Sequence, residues 1–212
     1  MAGSLVMVTL FIFVGTTVGD DPATLAGWIE RFPDIRAYRI IENGVYLLVL
    51  VLWMLHFAAL GHRLMSAPMA TGLFAAVLGI VGLTIMAAGA LPHVATGPIA
   101  DLYVAGDGGE AERATLALIF RASWWVADMM LFAGLAILPF ALALAALAMP
   151  RDAGFGAGWA LAAAALAAFG IFAAIAVMIY PGSPIAALGM FAQLFFHLGF
   201  GWRLAKAARA AE

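Results

Sequence analysis

Long apolar runs, separated by shorter polar stretches, set the pattern of this chain. A helix that crosses a hydrocarbon core of about 30 Å needs roughly 20 mostly apolar residues, and six runs approach that length. They lie at Gly3–Gly19, Tyr38–Gly61, Pro68–Leu91, Ser123–Met149, Ala157–Tyr180 and Pro184–Lys206. The pattern predicts an all-α fold, a polytopic transmembrane bundle of six helices that forms one domain over residues 1–212.

Prolines mark several of the predicted helix boundaries. Proline lacks a backbone N–H, so it is tolerated in the first turn of a helix and disfavoured in the interior. Pro68 and Pro184 therefore indicate helix starts, and Pro92 indicates a helix end. Pro139 lies inside the fourth run, where it predicts a kink. The same run has no breaker between Glu110 and Pro139, so this helix should begin near Glu110 and extend beyond the membrane.

Two connections are longer than the others. The first, "DDPATLAGWIERFPDIRA", places four apolar residues on one helical face, and it predicts a short helix lying in the membrane interface. The second, "PHVATGPIADLYVAGDGGEAER", mixes apolar residues with a glycine-rich acidic turn. We expect a second short interfacial helix there, capping the outer mouth of the bundle.

Composition places the protein in the lipid bilayer. Hydrophobic residues make up 66% of the chain, charged residues 10%, and the mean hydropathy is +1.07. Soluble domains are about a quarter charged, so these values indicate an integral membrane protein without a soluble catalytic domain. The absence of cysteine excludes thiolate metal sites and cysteine nucleophiles. A net charge of −2 without a basic stripe argues against nucleic acid as a partner.

The basic residues near the ends of the predicted helices indicate an orientation. Cytoplasmic loops of membrane proteins carry more Lys and Arg than the opposite side. The tail "WRLAKAARAAE" is basic, and an even number of crossings would put both termini on the cytoplasmic side. The chain is rich in Ala and Gly and has few Lys, a composition that suggests a GC-rich bacterial genome. The expected location is therefore the bacterial inner membrane, with several crossings.

Polar residues inside the predicted helices form an outer layer and an inner layer. The outer layer contains Glu42, Asn43 and Tyr46 of the second helix and Arg121 and Asp128 of the fourth. Buried charges cost less when opposite charges meet, so we expect Glu42, Arg121 and Asp128 to form one network. Such a network either pins two helices together or serves as a proton or solute relay, and the sequence leaves both alternatives open.

The inner layer contains two histidines that should lie at similar depth. His56 belongs to the second helix, and His197 belongs to the sixth together with Gln193. Imidazole binds haem iron, zinc and copper, so His56 and His197 are candidate ligands for a haem or a divalent metal. The alternative is a hydrogen-bonded pair that packs two helices together. The sequence leaves the identity of any cofactor unknown.

Three stretches share their layout with a known family. They are the acidic lead "GDDPATLAGWIERFPDIRAYRI", the hydrophilic helix start "GGEAERATLALIFRASWW", and a last span ending at Trp202 before a basic tail. In these features the chain resembles the bacterial integral membrane family known as domain of unknown function 4386. The resemblance implies a six-helix membrane bundle of unassigned activity, and it transfers no catalytic residue.

The sequence therefore supports a small membrane bundle of unassigned activity, with enzyme activity left open. Its polar residues form either a helix-pairing network or a modest ligand pocket. One alternative is a haem-, metal- or pigment-binding redox subunit that uses His56 and His197. Another is a small transporter or membrane-embedded enzyme with a pocket around Glu42, Arg121 and Asp128. Assembly as a homo-oligomer or as a subunit of a larger membrane complex is also left open.

Overall fold

The fold consists of helices throughout the part of the chain that the structure describes. A computed structural model describes residues 1–18, 22–106, 108–152, 154–180 and 185–209. The α-helices are α1 (Ala2–Thr17), α2 (Leu25–Arg63), α3 (Thr71–Ala105), α4 (Gly109–Ala148), α5 (Gly156–Ile179) and α6 (Ala186–Arg209). Short 3-10 turns at Pro68–Ala70 and Met149–Arg151 precede α3 and follow α4. The all-α prediction is confirmed, and the predicted boundaries at Gly19 and Pro184 lie outside the described residues.

Among the residues that the structure describes, four helices are long and apolar enough to cross a membrane. They are α2, α3, α4 with its terminal 3-10 turn, and α5. Helix α1 has only 16 residues, and α6, which carries Gln193, His197 and three basic residues, is not among the four. Large apolar side chains such as Ile12, Leu55 and Phe172 are more than half exposed, which suits a surface in contact with lipid. The structure is therefore compatible with a membrane-spanning protein.

The two long connections are not separate interfacial helices. Helix α2 begins at Leu25 rather than at Tyr38, and α3 continues through Pro92 to Ala105. At 1.5 Å per residue, the 39 residues of α2 extend about 58 Å, well beyond the thickness of a hydrocarbon core. Helix α4 begins at Gly109, which confirms the prediction of a long fourth helix. The interfacial segments therefore become overhanging parts of α2 and α3.

A small separate core explains why these overhangs stay helical. Ile29 and Phe32 of α2 pack with Ala100 of α3 and Phe120 of α4, and all four side chains are buried. The rings of Phe32 and Phe120 meet edge to face, with centroids 5.9 Å apart. Burial of these side chains stabilises the helix past Pro92, which a local rule for proline cannot anticipate.

Both ends of the overhang carry recognisable caps. Before α2, the Thr24 hydroxyl accepts a hydrogen bond of 3.1 Å from the backbone N–H of Gly27. After α3, Gly106 adopts a φ of 71°, the left-handed conformation that ends a helix and that glycine accepts without strain. The turn into α4 follows directly, so α3 and α4 are antiparallel neighbours.

Consecutive helices are neighbours, and α1 packs against both α2 and α6. Helices α3 and α4 have the most extensive interface, because glycine lets their backbones approach closely. A Cβ atom added to Gly134 of α4 would collide with the carbonyl oxygen of Gly82 and the side chain of Met86, both on α3. Pro139 lies inside α4, and its ring faces Gly170 of α5. The kink predicted at Pro139 stays a prediction.

The two ends of the bundle differ in charge. We call the end where α2 and α4 begin the acidic end, because Glu30, Asp34, Asp101, Glu110 and Glu112 outnumber Arg31, Arg36 and Arg113 there. The opposite end, the basic end, contains Arg63, Arg151, Arg203 and Lys206. At the basic end, the Arg63 guanidinium donates to the Asp152 carboxylate at 2.9 and 3.3 Å and so ties α2 to the connection between α4 and α5.

The close α3–α4 contact yields the first prediction. Gly134→Ala should lower the thermal unfolding midpoint in detergent, because the new methyl group overpacks the interface at a cost of about 1–3 kcal/mol. Gly44→Ala is the matched control, since a Cβ atom there meets nothing within 4 Å. This control should leave the midpoint unchanged or raise it, because alanine favours a helix over glycine by about 0.5–1 kcal/mol. Equal midpoints for the two variants would contradict the packing described here.

Candidate functional site

A cavity of about 500 Å³ lies among α1, α2, α3, α4 and α6, and we call it the main cavity. Its polar lining consists of Arg39, Glu42, Asn43, Tyr46, His93 and Asp128. Its apolar lining includes Met7, Leu10, Phe11, Val14, Met86, Leu131 and Met190. The volume falls within the range of small-molecule pockets, which are mostly apolar with a few placed polar groups.

Helical periodicity explains how the sequence builds two of the cavity walls. On α2, the polar residues from Arg39 to Tyr46 recur at intervals of three and four, so they share one face. On α4, Trp124, Ala127, Asp128 and Leu131 follow the same interval. The predicted outer-layer residues Glu42, Asn43, Tyr46 and Asp128 thus line the cavity together.

An ion pair within α2 forms the polar centre of this site. The Arg39 guanidinium donates a hydrogen bond of 2.7 Å to the Glu42 carboxylate, one helical turn away. Arg39 is buried, with only 8% of its surface exposed, and its guanidinium lies 5.7 Å from the ring centre of Trp28 and 5.9 Å from that of Trp124. Its Nε atom is buried and has no hydrogen-bond partner among the described residues. The Nε–H of Arg39 is therefore an unused hydrogen-bond donor.

A second polar contact joins α2 to α3. The Asn43 amide nitrogen donates to the Arg39 carbonyl oxygen at 2.9 Å, and its Oδ1 lies 3.0 Å from Nδ1 of His93. With Oδ1 as the acceptor, Nδ1 of His93 carries the proton. The His93 ring also meets Trp124 edge to face, with centroids 4.7 Å apart. Asn43 and His93 thus hold the three helices around the cavity in register.

The predicted network of Glu42, Arg121 and Asp128 is replaced by other contacts. Glu42 pairs with Arg39, which is three residues away on the same helix and needs no interhelical reach. Arg121 lies over the ring of its neighbour Trp125, 4.3 Å from its centre. Asp128 forms no hydrogen bond or ion pair with any residue that the structure describes.

Arg121 belongs to a second space, which we call the adjoining cavity. This cavity, of about 710 Å³, reaches toward the acidic end along Leu25, Trp28, Phe120, Arg121 and Trp125. It shares Val14, Gly15, Arg39 and Trp124 with the main cavity. The shared lining makes Arg39 and Trp124 the boundary between the two spaces.

The structure brings the two inner histidines together. Nδ1 of His56 lies 2.5 Å from Nδ1 of His197, so one nitrogen donates and the other accepts. His197 is fully buried and stacks on the Trp53 ring, with centroids 4.5 Å apart and planes 7° apart. Gln193, also buried, lies one turn earlier on α6, and its Oε1 has no partner among the described residues. We call His56 and His197 the histidine pair.

The geometry of the histidine pair favours helix packing over metal ligation. Nitrogens bound to one metal ion lie about 2 Å from it, which separates the two nitrogens by roughly 3 to 4 Å. The observed 2.5 Å is the distance of a direct hydrogen bond. Within the described ranges, no group of three or more His, Asp or Glu side chains is placed to hold a metal ion.

Sequence reasoning missed Arg39 and His93. Arg39 lies at the start of the run predicted as the second helix, and its three-residue spacing to Glu42 was a usable signal for an ion pair. His93 follows Pro92, which had indicated a helix end, so its place inside α3 could not be expected. No local signal connects His93 with Asn43, because 50 residues separate them.

Comparison with known proteins adds no relative: no family model, curated protein or solved structure matches this chain.

The Arg39–Glu42 ion pair yields a prediction on stability. Glu42→Gln should lower the free energy of unfolding by roughly 1.5–3 kcal/mol, because it leaves the buried Arg39 charge without its partner. Asp101→Asn is the matched control, since the Arg36–Asp101 ion pair is about two-fifths exposed. Exposed pairs contribute less than about 1 kcal/mol, so this control should have little effect. Unfolding of both variants in mixed detergent micelles measures the difference, and equal losses would refute the central place given to Arg39 and Glu42.

The histidine pair yields a second prediction. In a double-mutant cycle of His56→Leu and His197→Phe, the two substitutions should be non-additive, with a coupling free energy of about 0.5–1.5 kcal/mol. Phenylalanine retains a ring to stack on Trp53, so the coupling reports the hydrogen bond. Strictly additive losses would show that the two imidazoles do not interact.

Proposed function

We propose that this protein is a membrane-embedded binding protein for a small amphiphilic molecule that occupies the main cavity. The main cavity is the observation that carries the proposal, because it combines a polar wall with apolar walls inside a bundle of membrane-like helices. An amphiphile matches both kinds of wall at once. A purely polar ligand would leave the methionine- and leucine-lined part of the cavity unused.

The lining suggests how such a ligand is oriented. Its polar group lies against the polar wall of the cavity, near Asp128 and the Asn43–His93 contact. Its apolar part contacts Leu10 of α1 and Leu131 of α4. Methionines such as Met7, Met86 and Met190 complete this side, and their flexible side chains adapt to ligands of varied shape.

The adjoining cavity supplies a route to the main cavity. It begins near the acidic end and meets the main cavity at Arg39 and Trp124. Its aromatic lining suits the headgroup level of a membrane, where Trp is enriched. An amphiphile entering from that level would pass Trp28 and Trp124 with its apolar part leading.

The membrane setting is part of the proposal. We infer six crossings, with α1 and α6 completing the bundle, and both termini on the cytoplasmic side of a bacterial inner membrane. The family resemblance to domain of unknown function 4386 agrees with this arrangement. The apolar exterior of the helices and the basic residues at one end support it.

Neighbouring residues on α4 provide a test of the cavity. The chain has no cysteine, so Ala127→Cys and Val126→Cys each introduce a single thiol. Ala127 lines the main cavity, whereas Val126 is 50% exposed on the outer face at the same depth. In lipid nanodiscs, N-ethylmaleimide should modify Ala127→Cys at least about tenfold faster, because thiolates form poorly in hydrocarbon. Mass spectrometry of the intact protein measures both rates.

The same variants test for ligand binding. Saturating 1-decanol, a neutral amphiphile, should slow modification of Ala127→Cys and leave the rate at Val126→Cys unchanged. Protection confined to Ala127→Cys would support the proposal. If decanol protects both thiols equally, or neither, the main cavity does not bind this class of molecule.

A further inference from the structure

We propose that the ligand of the main cavity carries a positive charge, a quaternary or protonated amine that pairs with the carboxylate of Asp128. This inference rests on the proposed function and names the class of amphiphile that the cavity takes.

The charges around the main cavity leave one carboxylate without a partner. Glu42 is neutralised by Arg39 at 2.7 Å. Arg121 lines only the adjoining cavity, where it lies over Trp125. His93 directs its Nδ1 toward Asn43 rather than toward an acid. Asp128 lines the main cavity and has no hydrogen-bonding or ionic partner in the described part of the chain.

An unpartnered carboxylate among apolar side chains is costly. Moving such a group out of water is unfavourable unless a proton or an opposite charge accompanies it. Ala127 and Leu131, which flank Asp128 in the cavity wall of α4, have no side-chain hydrogen-bond donor, and the donors of Arg39 and Asn43 that form hydrogen bonds use other acceptors. A ligand cation therefore offsets a cost that no described side chain offsets.

The neighbouring aromatic ring adds a second attraction for a cation. Trp124 lies one turn before Asp128 on the same face of α4 and also lines the main cavity. The negative face of an indole ring attracts cations, and quaternary ammonium groups are typical partners. The Arg39 guanidinium already lies near this ring, but its charge is balanced by Glu42. An ammonium group between Trp124 and Asp128 would face one net negative charge.

Three amphiphiles with ten-carbon chains separate the contribution of the headgroup from that of the tail. They are decyltrimethylammonium, 1-decanol and decanoate, which are cationic, neutral and anionic. Each is titrated against the N-ethylmaleimide reaction of Ala127→Cys in nanodiscs, with free concentrations corrected by partitioning into empty nanodiscs. The midpoint of protection is measured in the Ala127→Cys background alone and combined with Asp128→Asn or Asp128→Glu.

Decyltrimethylammonium should protect at the lowest concentration, and Asp128→Asn should raise its midpoint at least about tenfold. Asp128→Glu keeps the charge and should restore most of the affinity. The decanol midpoint should change less than about twofold in either variant, and decanoate should protect Ala127→Cys poorly. This combination supports a cation site at Asp128.

Other outcomes overturn the inference in distinguishable ways. If the decyltrimethylammonium midpoint does not depend on Asp128, the cation site is refuted. Protection by decanol would in that case still support the proposed function. If decanol also fails to protect Ala127→Cys, both the cation site and the proposed function are refuted. If Asp128→Asn does not fold, the comparison of decyltrimethylammonium with decanoate decides, since equal midpoints in the Ala127→Cys protein rule out a cation site.

Discussion

Polar groups between apolar helices have little water to solvate them, and the arrangement of this bundle follows from that constraint. Arg39 is the clearest case, because a buried guanidinium needs both an opposite charge and acceptors. Glu42 supplies the charge one turn away, and two indole rings cover the remaining faces. Asn43 then uses its amide to join Arg39 on its own helix to His93 on the next. The cavity exists beside these groups because they hold α2, α3 and α4 at fixed positions.

The histidine pair, in the inner polar layer, is subject to the same constraint. Each imidazole meets part of its hydrogen-bonding need through the other, and Trp53 covers the face of His197. The two polar layers thus have different consequences. The inner layer joins α2 to α6 through a direct hydrogen bond, whereas the outer layer lines a cavity. Asp128 differs from both, because its position in the wall gives it no partner from the described residues.

Sequence patterns predicted the helical class, the order of the helices and the long start of α4, because hydrophobic periodicity and length are local properties. They also placed His56 and His197 at one depth, since counting residues along two helices requires no knowledge of packing. The partner of Glu42 was predicted incorrectly, because a distant arginine at matching depth was chosen over Arg39 on the same helix. The passage of α3 through Pro92 depends on burial against α2 and α4, which is a tertiary effect. The cavity itself is a gap between five helices and leaves no pattern in any one of them.

The overhang of α2, α3 and α4 has a consequence for how the protein sits in a bilayer. A long helix usually relieves hydrophobic mismatch by tilting until its excess length lies within the lipid. Here tilting would drag Glu30, Asp34 and the Arg36–Asp101 pair into hydrocarbon, and these charges resist immersion. In a bilayer, these charged residues would therefore favour one vertical position of the molecule. A bilayer of different thickness would then adapt by thinning or thickening around the protein rather than by tilting the bundle.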